Sequence, residues 1–67
     1  MEIKKYRDAL GWSLERLAGE LHREGVTVTK QTLWNYETGK TEPRGWALLV
    51  LARVLGVEPR ELYEEVE

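Results

Sequence analysis

The chain has 67 residues, a net charge of −2 and no cysteine. That length allows a single domain over residues 1–67 with a modest core, and no enclosed catalytic cleft beside it. Disulfides, zinc fingers and thiol chemistry are excluded, and no apolar run reaches the roughly 20 residues a membrane helix needs. The start Met-Glu-Ile-Lys-Lys has no apolar leader, so the sequence predicts a cytoplasmic protein with no membrane partner. Charge is unevenly spread. Residues 1–55 carry nine Lys/Arg against seven Asp/Glu, a net of +2, whereas residues 56–67 carry one Arg and five Glu, a net of −4. Any basic face therefore lies in the first part of the chain, and the acidic tail reads as a solvated face.

Helical periodicity runs almost throughout. Ile3, Tyr6 and Leu10 mark a first stripe, with Gly11 as its stop. Ser13 is placed to cap a second helix, whose Leu14, Leu17, Ala18 and Leu21 share one face and which ends at Gly25. Val26 to Val28 reads as a loop, being rich in β-branched residues. Thr29 caps a third helix over Lys30 to Thr38, with Leu33 and Tyr36 inward and Gly39 closing it. Lys40 to Arg44 is a loop. A fourth helix spans Gly45 to Leu55, burying Leu48, Leu51, Ala52 and Leu55 and stopping at Gly56. Pro59 opens a fifth, with Leu62, Tyr63 and Val66 as its apolar side. There is no strand alternation, repeat or low-complexity segment. The predicted class is an all-α domain of five short helices.

The third helix is unusual in composition. Gln31 and Asn35 are the chain's only Gln and only Asn, and they stand four residues apart on one helical face. Each amide offers donors and an acceptor, which matches the paired N6 and N7 edge of adenine in the major groove. By themselves, two exposed amides are equally compatible with an ordinary solvated face. Their setting favours recognition, because helix, loop and capped helix is how a helix-turn-helix presents its reading helix. The helix N-terminus favours an anion. Gly39-Lys40-Thr41 offers a turn with exposed N–H groups, a cation and a hydroxyl suited to a phosphate, or else an ordinary helix stop.

The chain resembles the phage lambda repressor-like helix-turn-helix family, of the xenobiotic-response-element type. The resemblance is carried by Ile3 to Leu10, by Ser13 to Ala18, by Val28 to Lys40 with Leu33, Asn35 and Gly39 in place, and by Leu48 to Val57 through Leu62-Tyr63. It implies a compact five-helix bundle, with helices two and three forming the helix-turn-helix, that binds double-stranded operator DNA, usually as a homodimer. The family's base-reading positions fall on Lys30, Gln31 and Asn35, with Thr32 a fourth. Its phosphate contacts fall on Thr29, Lys40 and Thr41, with Arg44 nearby. The resemblance also implies that Glu37 pairs with Arg7 as a structural clasp between helices one and three.

Three features depart from the family pattern. Leu14 replaces a Gln that commonly touches the DNA backbone, so that contact is either lost or supplied elsewhere, with Arg16 as the candidate. The segment from Leu21 to Val28 is longer than the usual turn, so helix two is expected to gain a turn through His22 and Arg23, which either adds a backbone contact from Arg23 or alters how helix three is presented. Gly45 stands where a Leu is common, beside Trp46.

Trp34 adjoins the reading face, where it either contacts a thymine methyl or sugar or, the preferred expectation, packs beneath the long loop. Trp46, Val50 and Val57 form a candidate dimer patch; the alternative is that Trp46 fills the space left by Gly45. His22 is the chain's one histidine and reads as a surface residue rather than a ligand. Ser13 lacks a His/Asp partner and reads as a cap. No catalytic constellation, metal site, cofactor or small-molecule ligand is expected. The leading expectation is a repressor-like transcriptional regulator. The alternative is a protein-binding module, such as an antitoxin-like partner, which the low net charge, Leu14 and the three tryptophans would suit.

Overall fold

In the computed structural model, which describes residues 1–63, the chain folds into four α-helices and one 3-10 turn. They are α1 (Ile3–Ala9), α2 (Leu14–Arg23), α3 (Lys30–Thr38), α4 (Gly45–Leu55) and the turn Pro59–Leu62. No strand occurs among the described residues. Each element sends at least one side chain into a common core: Ile3, Leu17, Leu21, Leu33, Val50, Leu51 and Leu62 are all essentially inaccessible.

The first helix differs from its expected stripe. It ends at Ala9, so Leu10 is its exposed cap rather than its last core residue. The buried pair is Ile3 and Arg7, one turn apart. A charged side chain takes a core position here because a carboxylate from α3 meets it there.

Ser13 caps α2, its hydroxyl accepting from the Arg16 N–H at 3.0 Å. Such a cap is worth about 1 kcal/mol. The helix does extend through His22 and Arg23. The long connection after it is tightly tied. The Gly25 N–H donates to the His22 carbonyl and the Val26 N–H to the Leu21 carbonyl at 2.9 Å, which satisfies the open end of the helix. Val26 is buried and closes the core below the turn. Gly25 has φ +92°, and the Trp46 ring lies 3.2 Å from where a side-chain carbon would sit. Only glycine meets both requirements comfortably. Trp46 therefore covers the α2–α3 connection.

On α4 the buried arc is Val50, Leu51, Ala52 and Leu55, with Leu48 only half-buried. This corrects the expected dimer patch. Val50 is 2% exposed and belongs to the core, while Leu49 faces out at 56% beside Trp46 at 59%. Val57 is half-buried against the core. The physical reason is that α4 is apolar on almost every side, so spacing alone does not choose the buried arc.

The expected fifth helix is also corrected. Pro59 starts a single 3-10 turn, closed by a reciprocal cap between Glu58 and Glu61. Leu62 is fully buried and Tyr63 is exposed. Val66 lies outside the described residues. The Glu2 N–H donates to the Leu62 carbonyl at 2.8 Å, joining the start of the chain to this turn.

Candidate nucleic-acid interface

The third helix is fixed from three directions. At its start, the Thr29 hydroxyl accepts from the Thr32 N–H at 3.1 Å. On its inner side, Leu33 is fully buried in the cluster that contains Leu17 and Leu21 of α2. Toward its end, Glu37 grips Arg7. The Arg7 Nε donates to Glu37 Oε2 at 2.8 Å and a terminal nitrogen donates to Oε1 at 3.2 Å. The other terminal nitrogen of Arg7 donates to the Trp12 carbonyl at 2.9 Å. The two side chains are only 11% and 7% exposed, and the hydrogen bonds that Arg7 donates to Glu37 raise the guanidinium pKa above its ordinary value. The clasp thus locks the orientation of α3 against α1.

The outer side of α3 holds the two amides. The Gln31 Nε2 donates to Asn35 Oδ1 at 3.2 Å, so they lie together on one face. The bond leaves the other Gln31 N–H, the Gln31 carbonyl and the Asn35 amide N–H groups with hydrogen-bonding capacity to spare. Thr32 is half-buried, and its hydroxyl lies 3.0 Å from that of Thr29, so these two form one small polar unit at the head of the helix. Lys30 is exposed and reaches Glu15 of α2 at 3.4 Å. The contact links the first turns of the two helices.

Beyond the C-terminus of α3 the structure corrects one expectation. The turn at Gly39 adopts φ +85°, and its N–H groups are not open to an anion. Gly39 N–H donates to the Tyr36 carbonyl, and those of Lys40 and Thr41 converge on the Asn35 carbonyl at 2.9 and 3.4 Å. The last turn of α3 needs these donors to satisfy its own carbonyls. What remains for a phosphate is the Lys40 ammonium and the Thr41 hydroxyl, both on exposed residues. Arg44 is exposed at the N-cap of α4. Among the described residues, neither Lys40 nor Arg44 makes an ion pair.

The substitutes proposed for the missing Gln at position 14 are engaged locally. Arg16 pairs with Glu20 at 2.8 Å and stacks 4.9 Å from the Trp12 ring. Arg23 lies 3.7 Å from the same Glu20. The Arg16–Glu20 spacing is visible in the sequence as an i, i+4 pair. The Lys30–Glu15 contact is not, because it depends on how α2 meets α3. Sequence reasoning also missed a cleft of about 330 Å³ lined by Leu14, Lys30, Gln31 and Trp34. Trp34 does not pack beneath the long loop; it is 43% exposed, with the Lys40 ammonium 5.5 Å from its ring.

Two packed helices, the second capped, clamped from behind and polar in front, are the frame of a helix-turn-helix. The sequence matches the family profile described as a helix-turn-helix domain over residues 1–66. The chain belongs to the helix-turn-helix domain family. No curated protein and no solved structure matches it. Membership in the helix-turn-helix family indicates a DNA-binding regulator. No described helix is long and apolar enough to cross a membrane.

Proposed function

We propose that this helix-turn-helix domain is a sequence-specific reader of double-stranded DNA, of the lambda repressor-like, xenobiotic-response-element type. The supporting observation is the hydrogen-bonded pair of Gln31 and Asn35 on the open face of a helix held from behind by Leu33 and the Arg7–Glu37 clasp. Rigid placement matters because a bidentate amide-to-adenine contact discriminates only when both hydrogen bonds align. Gln31 and Asn35 read base edges, with Lys30 and Thr32 beside them. Thr29, Lys40, Thr41 and Arg44 contact the backbone and set the register.

The domain acts as a repressor-like cytoplasmic regulator that works by occupying its site, without catalysis. On DNA it forms a homodimer, placing two reading helices about 34–36 Å apart in successive major grooves of a near-palindromic site. Trp46 and Leu49, exposed one turn apart on α4, are the patch for that contact. The same two residues favour the second reading, a protein-binding module such as an antitoxin-like partner.

Selection from random duplex DNA separates the readings. Enrichment of a near-palindromic motif, bound in a salt-dependent manner, is the expected result. No enrichment, together with a stable protein complex from cell extract, supports the second reading instead.

A further inference from the structure

The proposed reading leaves one large side chain of α3 without a task. Trp34 is 43% exposed, although a tryptophan ring is among the most unfavourable groups to leave in water. With Leu14 of α2 it forms the apolar part of the open cleft, and Gln31 and Lys30 complete the lining. Trp34 immediately precedes Asn35 and follows Gln31 by three residues, so the cleft borders the amide face directly.

We propose that this cleft receives the 5-methyl group of a thymine, making the domain select a methylated pyrimidine beside the base read by Gln31. The inference rests on the reading of α3 as the DNA-recognition helix. The thymine methyl is the one apolar group that the base edges present in the major groove. Leu14 has no polar side-chain atom to offer a phosphate, so this part of the surface suits an apolar group. The flanking charge is complementary to a polyanion. Lys30 lines the cleft and Lys40 stands 5.5 Å from the Trp34 ring, so a methyl in the cleft brings backbone phosphates toward two ammonium groups. Gln31, held by Asn35, supplies the polar contact to the base while Trp34 and Leu14 supply the apolar one.

The test starts from the duplex selected by the wild-type domain. Each thymine is replaced in turn by deoxyuridine, which lacks only the 5-methyl group, and affinity is measured by fluorescence anisotropy. One thymine per half-site is expected to be sensitive, its replacement weakening binding about fourfold, the worth of one buried methyl. In Trp34→Ala that difference disappears, while the thymine- and uracil-bearing sites bind equally. Tight, selective binding by the wild type with no sensitive thymine overturns the inference and leaves the reading of α3 intact. A methyl preference that persists undiminished in both Trp34→Ala and Leu14→Ala overturns it as well. So does a loss in Trp34→Ala with no methyl preference in the wild type, because it places a sugar on the ring. Absence of any selective DNA binding by the wild type overturns the reading itself, and this inference with it. The deoxyuridine series is read on the wild-type protein, so a poorly folded variant does not shelter the proposal.

Discussion

Glu37→Ala removes the carboxylate that neutralises Arg7. The guanidinium, only 11% exposed in the intact pair, is then left with one hydrogen bond to the Trp12 carbonyl and a distant contact to Asp8 at 3.7 Å. Breaking one side of a fully buried pair costs about 3–5 kcal/mol, and the residual partners and slight exposure bring the expectation here to about 2–4 kcal/mol. A domain of this size has a total stability of roughly 3–10 kcal/mol, so the loss is a large share of it. Thermal unfolding followed by circular dichroism should show Tm falling by roughly 10–30 °C. The pair Arg7→Met with Glu37→Leu should lose less than the sum of the two single variants, because no unpaired charge remains. A loss below about 1 kcal/mol in Glu37→Ala would place the clasp with ordinary surface ion pairs and refute the argument.

Four further outcomes follow from the same geometry. Lys40→Ala should weaken binding on all DNA sequences alike and reduce the salt slope by about one, measured by anisotropy titration at several salt concentrations. Glu15→Gln should tighten DNA binding, since it frees the Lys30 ammonium from its contact at 3.4 Å and removes a negative charge near the phosphates; unchanged or weaker binding contradicts this. Gly25→Ala should destabilise the domain by about 1 kcal/mol or more in urea unfolding, because φ is +92° and the new carbon meets Trp46 at 3.2 Å. Trp46→Ser with Leu49→Ser should abolish dimerisation on DNA, seen as loss of cooperativity across a two-half-site duplex, while single half-site binding persists.

Much of the frame is written in local chemistry. Ser13 and Thr29 each stand at a cap, and glycines follow α2, α3 and α4 where the chain must turn left-handed. The single Gln and single Asn already mark the outer face of α3. The unreadable parts depend on packing between elements. Trp46 to Ala52 is an unbroken apolar run, so periodicity cannot tell that Val50 turns inward while Leu49 turns out. Leu10 sits at helical spacing, yet the helix has ended before it. Pro59 and the Glu58–Glu61 cap signal a helix start equally well for an α-helix or a 3-10 turn. The N–H groups after Gly39 look free in one dimension, but in three they fold back onto α3. Arg7 and Glu37 are 30 residues apart, and only the resemblance links them in advance.

The central claim is that Gln31 and Asn35 read bases. It is tested most directly by selecting sites from random duplex DNA with the wild type and with the Gln31→Ala, Asn35→Ala double variant. The account predicts that the variant folds normally, keeps weak salt-dependent binding, and loses preference for the wild-type site, each amide being worth about 1–3 kcal/mol of discrimination. A folded double variant that selects the same site with the same affinity would contradict it.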